Sequence, residues 1–179
     1  MNKIITLRGN SGSGKSTVAK ILQKKLGNYV DGMQEVYSGT FLVSQDYVRR
    51  EMLMVKDRPN NQAVDLLINL VTYGNQNCEY TILDGILYKE VYGNLFALIK
   101  KLYDGQIFAY YFDLPFEETF LRHRHKPISN EIGEHQLKNW WRDKDYITGI
   151  NEKSIYKDMS MDDIVKLIIS DITKSKDSF

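Results

Sequence analysis

The sequence predicts an α/β fold in which one parallel β-sheet carries α-helices on both faces. Short apolar runs recur along the chain with few polar residues inside them, as expected of strands that are buried on both faces. These runs alternate with stretches whose apolar residues lie three or four apart, which is typical of amphipathic helices. Strands and helices that alternate in this way form doubly wound sheets, and ligands bind at the carboxyl ends of their strands.

The first half of the chain contains three predicted strands. The first covers 4–7, and Val18, Leu22 and Leu26 mark the helix that follows it, with Gly27 as its end. The next elements are, in order, a strand at 41–44, a helix at 47–55, a helix around 63–71 and a strand at 80–85. The helix at 47–55 is expected to end before Arg58-Pro59, because a proline disfavours helical backbone in the residue before it.

The second half repeats this pattern. Apolar spacing predicts a helix over 91–102, and Pro115 opens another helix because proline suits the first helical turn. The remaining elements are a strand at 107–112, a helix at 131–145 and a short fifth strand at 154–156. Ser160 and Asp163 resemble a capping box, which predicts the start of the last helix.

The composition predicts one globular domain that covers residues 1–179. Hydrophobic residues make up 42% of the chain and charged residues 26%, and the formal net charge is +1, which gives no reason to expect a nucleic-acid or membrane partner. Cys78 is the only cysteine, so an internal disulfide and a multi-cysteine zinc site are excluded. No apolar stretch has the length of a signal-peptide core or of a transmembrane helix. We therefore expect a cytoplasmic protein, either a monomer or a homodimer.

The segment GNSGSGKST follows the first predicted strand and fits the P-loop pattern G-x-x-x-x-G-K-[ST] at every fixed position. The predicted phosphate-binding residues are Gly9, Asn10, Ser11, Gly12, Ser13, Gly14, Lys15, Ser16 and Thr17. In such a loop the backbone N–H groups and the helix N-terminus surround the phosphates. Lys15 reaches the β- and γ-phosphates and Ser16 ligates Mg²⁺. The pattern predicts nucleoside triphosphate binding, and the alternative is a glycine-rich turn without a ligand.

Two classes of P-loop protein are excluded by missing motifs. The sequence lacks a guanine-binding Asn/Thr-Lys-x-Asp motif after the fourth strand, and it lacks the LSGGQ-type signature of ABC ATPases. Nearly the whole chain resembles small kinases described as uridine kinase-like or AAA-domain kinases. The stretches GNSGSGKST, SQDYVRREML, ILDGILY and YYFDLPFEETFLRH carry this resemblance. The group is similar to zeta toxins, chloramphenicol phosphotransferases and polynucleotide 5′-kinases.

The resemblance implies a P-loop NTPase fold with strand order 2-3-1-4-5 and a helical lid at approximately 116–145. It also implies ATP and Mg²⁺ as cofactors and a small-molecule acceptor with a hydroxyl group, nucleoside-like or antibiotic-like. Two other functions remain open. A polynucleotide 5′-hydroxyl kinase would need a basic groove lined with aromatic residues. A nucleotide-binding regulatory or toxin-like module would bind ATP with little turnover.

Asp46 follows the second predicted strand, at the edge of the sheet where an acceptor should bind. A hydroxyl acceptor needs a base, and a carboxylate can orient it and take its proton. Asp46 is therefore the predicted base, and Arg49 and Arg50 are predicted to bind the substrate with it. Asp46 and Arg49 lie three residues apart, which places them on one side of the first helical turn. The alternative is an N-cap aspartate with solvated arginines.

Asp84 ends the third predicted strand, in the position of a Walker B acid. Such an acid holds Mg²⁺, but in small kinases this position also contacts the acceptor, and the sequence does not separate these two roles. A third interpretation is a turn residue beside Gly85.

Residues 122–126 place five potential cations at the end of one helix. The resemblance implies that Arg122 neutralises charge on the transferred phosphoryl group, whereas the alternative is that the cations only favour the helix C-terminus. Arg124 and the loop at 157–159 are expected to flank the adenine.

The remaining histidines and tryptophans receive simpler interpretations. His123, His125 and His135 have no paired acid and are interpreted as surface residues of the lid. Trp140 and Trp141 are adjacent on a predicted helix and cannot face the same way, so we expect one to pack and the other to be exposed.

Overall fold

A computed structural model describes residues 2–27, 39–124 and 133–174. Within these residues five strands form one parallel sheet in the order β2-β3-β1-β4-β5. The strands are β1 (Lys3–Gly9), β2 (Thr40–Ser44), β3 (Tyr80–Gly85), β4 (Ile107–Phe112) and β5 (Glu152–Ile155). The predicted fold class and strand order are confirmed.

Helices connect the strands. Those in the described segments are α1 (Lys15–Leu26), α2 (Gln45–Tyr47), α3 (Gln62–Asn77), α4 (Lys89–Leu102), α5 (Phe116–Arg124), α6 (Glu134–Trp140) and α7 (Met161–Lys174). A π-helical turn over Val48–Met52 continues α2. None of these helices is both long enough and apolar enough to cross a membrane.

The sheet has a separate hydrophobic core on each face, because successive strand residues point to opposite sides. Ile4 of β1 packs into the core that contains residues of α3 and α4. Ile5 and Leu7 pack into the other core, which contains residues of α1 and α7. Every residue of β1 is buried, including the polar ones. The P-loop therefore follows a strand that is buried along its whole length.

The helix predicted at 47–55 is wrong at both ends. It begins at Gln45, directly after β2, and its helical part ends at Met52. The amide of Leu53 donates to Val48 O at 3.1 Å, a bond that spans five residues and closes a π turn. Because a π turn contains one residue more than an α turn, a prediction based on the spacing of apolar residues in α-helices does not detect it.

The helix predicted at 131–145 is also too long. Residues 131 and 132 lie outside the described segments, and the helix ends at Trp140. Trp141 has extended backbone and Lys144 has a φ of 47°, so the chain after α6 is irregular. The fifth strand is Glu152–Ile155 rather than 154–156, because Glu152 already pairs with Ala109 of β4.

The capping box predicted at the last helix is present. The amide of Asp163 donates to the Ser160 hydroxyl at 3.2 Å, and the Ser160 amide donates to the Asp163 carboxylate at 3.3 Å.

Candidate active site

The P-loop connects β1 to α1, and its three glycines, Gly9, Gly12 and Gly14, all have a positive φ; two of them also lie too close to neighbouring backbone for a Cβ. Gly9 has a φ of 132°, and a Cβ there would lie 2.7 Å from the carbonyl oxygen of Phe112. Gly12 has a φ of 86°, and a Cβ there would lie 2.4 Å from the carbonyl oxygen of Thr119. Both values fall in the left-handed region that favours glycine. The loop is thus packed against β4 and α5 at distances that only glycine allows.

Lys15 is the first residue of α1 and is buried within the loop. Its ammonium donates to Asn10 O at 2.7 Å and to Ser13 Oγ at 3.0 Å. Ser13 Oγ in turn donates to Asn10 O at 2.9 Å. These contacts hold the lysine charge over the backbone of the loop, where a phosphate group would meet it.

Ser16 of the P-loop is in direct contact with Asp84 of β3. Ser16 Oγ donates to Asp84 Oδ2 at 2.6 Å, and Asp84 is only 2% exposed. Burial raises the pKa of the Asp84 carboxyl above its usual value, while the hydrogen bond from Ser16 and the charge of Lys15 act in the opposite direction. A hydroxyl and a carboxylate are the hard oxygen donors that Mg²⁺ prefers, so this pair fits the ion.

Asp46 lies near Asp84 at the edge of the sheet. Ser44, two residues before Asp46, pairs with Asp84 in the parallel ladder. The negative charge of Asp46 contributes to the raised pKa of Asp84. The side chain of Asp46 is 51% exposed, so it is open to a molecule in solution.

Two arginines bracket the Asp46 carboxylate. Arg49 Nη2 lies 3.0 Å and Arg50 Nε lies 3.5 Å from Asp46 Oδ1. The predicted placement of Asp46 and Arg49 on one side of the turn is therefore confirmed. The N-cap of α2 is Ser44, so Asp46 does not have the N-cap role that was its alternative. The structure thus brings Asp46, Arg49 and Arg50 into contact with one another, and Asp46 lies close enough to Asp84, the fourth predicted substrate-binding residue, for its charge to act there.

A buried polar cluster behind Arg49 was missed by sequence reasoning. Tyr92 donates its hydroxyl to Asp57 at 2.7 Å, and Gln45 donates to Tyr92 at 2.8 Å. Arg49 lies 4.0 Å from Asp57 and donates to the carbonyl of Val55 at 3.2 Å. These contacts fix the arginine against the segment that follows the π turn. No motif in the sequence marks Asp57 or Tyr92.

Arg142 was also missed, and it lies beside the P-loop. The Asn10 side chain accepts from the Arg142 amide at 3.0 Å and donates to the Arg142 carbonyl at 2.7 Å. The guanidinium lies over the ring of Tyr88, 5.2 Å from its centroid. Tyr88 donates to the carbonyl of Trp140 at 2.6 Å. Burial raises the pKa of Tyr88 to about 12, so its hydroxyl stays protonated at neutral pH.

Arg122 approaches the P-loop from α5. Its Nε donates to Glu118 at 2.6 Å, and its Nη1 donates to the carbonyl of Ser13 at 3.4 Å. Arg124 is the last residue of α5 and is exposed. The P-loop residue Thr17 lies in the first turn of α1, where its amide donates to Gly14 O at 3.1 Å.

The interpretation of the histidines is wrong in one case. His123 is 1% exposed and therefore belongs to the interior, because it faces inward from α5. His135 is exposed on α6, as expected, and His125 lies outside the described residues. Trp141 is partly buried and contacts the ring of Phe116 edge to face, whereas Trp140 is more exposed.

Comparison with known proteins identifies the family. A family model described as an AAA domain matches residues 5–138, which is more than half of the chain. The chain belongs to this AAA domain family. Comparison of the AAA domain with curated proteins finds no match.

Solved structures similar to this AAA domain include several kinases. The APS kinase of Mycobacterium tuberculosis, solved with AMPPNP and APS, is 22% identical with a TM-score of 0.61, over 97% of this chain and 98% of that chain. A gluconokinase from Sinorhizobium meliloti 1021 is 12% identical with a TM-score of 0.63, over 96% and 92%. The tunicamycin resistance protein of Deinococcus radiodurans is 14% identical with a TM-score of 0.60, over 96% of each chain. The AAA domain thus has the fold of small P-loop kinases, as the resemblance implied.

Proposed function

We propose that this protein is an ATP- and Mg²⁺-dependent phosphotransferase that moves the γ-phosphoryl group of ATP to a hydroxyl of a small, nucleoside-like or antibiotic-like molecule. The observation that carries this proposal is the 2.6 Å contact between Ser16 and the buried Asp84, beside Lys15 and one strand away from Asp46. The P-loop residues 9–17, which form the proposed nucleotide cradle, and the solvent-accessible carboxylate of Asp46 then face one cleft. The kinases among the similar structures support the same reaction type.

The nucleotide side consists of the P-loop and its neighbours. The backbone amides of 9–17 and the ammonium of Lys15 bind the phosphates, and Ser16 and Asp84 hold Mg²⁺. Arg124 flanks the adenine. Bound Mg²⁺ would neutralise phosphate charge, and ATP would supply the phosphoryl group. We expect the protein to act in the cytoplasm, where ATP is available.

The acceptor side begins at Asp46. Its carboxylate accepts the proton of the acceptor hydroxyl while the acceptor oxygen bonds to the γ-phosphorus. The bond from that phosphorus to the β–γ bridging oxygen breaks, and ADP leaves with the electron pair. Arg49 and Arg50 hold the carboxylate in place and contact the acceptor.

We propose that the chain is a single domain and that residues 116–145 form its lid. Positive charge from this lid stabilises the phosphoryl group during transfer. Arg122 is the first candidate because its guanidinium lies against the P-loop carbonyl of Ser13. Arg142 is a second, since within residues 2–27, 39–124 and 133–174 its guanidinium donates only to the carbonyls of Asn139 and Trp141. Cations placed where charge develops are worth more in a partly dehydrated cleft than in water.

The decisive experiment is an acceptor screen with γ-labelled ATP and MgCl₂. The panel contains nucleosides, aminoglycosides and other antibiotics, sugars and a 5′-hydroxyl oligonucleotide. A Lys15→Met variant serves as the blank, because it removes the phosphate-binding ammonium and reveals contaminating kinases. Label in a small molecule, absent with the blank, supports the proposal. Label only in the oligonucleotide would establish a polynucleotide kinase instead, and ATP binding without transfer to any acceptor would indicate a regulatory module.

A further inference from the structure

A fully buried arginine precedes the P-loop. Arg8 is the residue before Gly9 and is 0% exposed. Its Nη1 donates to both carboxylate oxygens of Glu152 at 2.9 and 3.0 Å. Its Nη2 lies 3.0 Å from Asp145 Oδ2, and its Nε donates to the carbonyl of Leu87 at 3.1 Å. The whole guanidinium therefore has partners.

The surroundings of Arg8 are closed and carry charge. Its guanidinium lies 5.2 Å from the ring centroid of Phe96 and 5.7 Å from that of Tyr111. The side chain of Glu152 is 1% exposed and that of Asp145 is 13% exposed. Burial of an ion pair is costly and is weak evidence for a role in stability alone. An arginine with two acids in this position therefore calls for a functional explanation.

Arg8 contacts two chain segments, and the charges of Asp57 and Arg49, on the proposed acceptor side, act on Tyr88 in the first of them. Leu87 lies in the loop between β3 and α4 and has a φ of 52°. Asp145 Oδ2 also accepts from the amide of Lys89, the first residue of α4, at 3.0 Å. The same two segments contain Tyr88 and Arg142, whose ring and guanidinium contact each other. Arg8 thus contacts both of the chain segments that carry the Tyr88–Arg142 pair.

We infer that Arg8 is a positioning residue that aligns the Tyr88–Arg142 wall of the cleft with the P-loop, acting through Asp145 and Leu87. This inference rests on the proposed function, because it assigns the wall to the acceptor and to the transferring group. β1 is already paired with β3 on one side and with β4 on the other, so the strand does not need Arg8 to stay in place. The loss of the ion pair should therefore disturb the wall more than the nucleotide cradle.

The test compares two truncations of carboxylates with similar exposure. Asp145→Ala removes the link between Arg8 and α4. Asp171→Ala is the matched control, because Asp171 also pairs with a cation, Lys153, at 2.7 Å, its side chain is 16% exposed, and α7 contains neither wall segment. Arg8→Lys is the second test variant, because it keeps the positive charge but loses the forked geometry of the guanidinium. Asp145→Asn is a milder variant, because its side chain keeps a hydrogen-bond acceptor.

Hydrogen exchange without ligand is the first readout. In Asp145→Ala the amides of Lys89 and Arg142 should exchange at least tenfold faster, while amides of β1 and α1 keep their wild-type rates. Asp145→Asn should show a smaller effect, and Asp171→Ala should leave these amides unchanged. If Asp145→Ala does not fold, Arg8→Lys is judged by the same amides. Unchanged exchange at both amides would overturn the inference.

Kinetics provide the second readout. Affinity for Mg²⁺·AMPPNP should stay within threefold of wild type in Asp145→Ala. In Asp145→Ala the kcat/KM for the best acceptor from the screen should fall at least tenfold. The control Asp171→Ala should retain most of the wild-type activity. Equal losses of nucleotide affinity and of transfer would also overturn the inference. If the wild-type protein does not bind Mg²⁺·AMPPNP, the proposed function fails, whereas the exchange data still decide whether Arg8 couples the two segments.

Discussion

Asn10 and Arg142 exchange two hydrogen bonds, in which one P-loop side chain pairs with the backbone of a residue that follows α6. The distances are 3.0 Å for the bond to Asn10 Oδ1 and 2.7 Å for the bond from Asn10 Nδ2. Asn10 is 6% exposed, so both bonds are partly shielded from water. The phosphate loop is therefore linked directly to the segment after α6.

Replacement of Asn10 by alanine should destabilise the protein by about 1–3 kcal/mol, because the amide and the carbonyl of Arg142 lose their partner. Urea denaturation measures the free energy of unfolding. The control is Asn77→Ala, since Asn77 is exposed and donates to the carbonyl of Tyr73 within its own helix, α3. We expect its effect to stay within about 0.5 kcal/mol. Equal effects of the two substitutions would show that the Asn10–Arg142 pair adds nothing.

Replacement of Asp46 by asparagine should leave the affinity for Mg²⁺·AMPPNP near the wild-type value and reduce transfer by about 10²–10⁴-fold. The amide keeps the size of the side chain but cannot take a proton at neutral pH. Calorimetry and the transfer assay measure the two quantities. Asp65→Asn, which removes an exposed acid from α3, is the matched control. Transfer by Asp46→Asn at the rate of this control would remove Asp46 from the mechanism.

Replacement of Arg122 by alanine should lower kcat by about tenfold or more. The KM for ATP should rise far less than kcat falls. The reason is that a cation aimed at developing charge acts mainly in the transition state. Lys166→Ala on the exposed side of α7 controls for the loss of a positive charge. If only the KM for ATP rises, Arg122 is a ground-state nucleotide contact.

Replacement of Gly12 by alanine should abolish detectable Mg²⁺·AMPPNP binding and destabilise the protein by about 1–3 kcal/mol, because the new Cβ would overlap the Thr119 carbonyl at a positive φ. Gly93→Ala in α4 is the matched control. A Cβ at Gly93 meets no atom within 4 Å, so the control should be neutral or stabilised by up to about 1 kcal/mol. Calorimetry and thermal denaturation measure both variants, and normal nucleotide binding by Gly12→Ala would contradict the tight packing of the loop.

Replacement of Asp84 by asparagine should stabilise the nucleotide-free protein at neutral pH, because burial raises the pKa of this carboxyl and so disfavours its charge. A raised pKa in the folded state means that the native protein binds the proton more tightly than the unfolded chain does. The stability of the wild type should therefore fall, relative to Asp84→Asn, as the pH rises from the unfolded pKa through the folded one. Denaturation at several pH values without Mg²⁺ tests this, and a constant difference between the proteins would contradict it.

Some of these features could be predicted from local sequence. The P-loop spelling locates the turn, and the acid at the end of β3 meets Ser16 because parallel strands end at one edge of the sheet. Asp46 and Arg49 meet because they lie within one helical turn. Each of these relations depends on a short stretch of chain or on a rule shared by all parallel sheets.

Other features depend on contacts that no local pattern contains. Arg8 reads as the polar end of a strand, but its partners Asp145 and Glu152 lie more than a hundred residues away in the chain. His123 reads as a surface cation, but the side of α5 that carries it faces the interior. In both cases long-range packing decides whether a charged or polar residue is buried, and this information is spread over the whole chain.

The π turn at Val48–Met52 has an evolutionary consequence. A π turn contains one residue more than an α turn, so deletion of one residue there would restore regular helix and rotate the adjoining residues by about 100°. Arg49 and Arg50 would then point elsewhere, while the sheet stayed intact. If Arg49 and Arg50 contact the acceptor as proposed, length variation at this turn would change the acceptor site of a relative more directly than a point substitution.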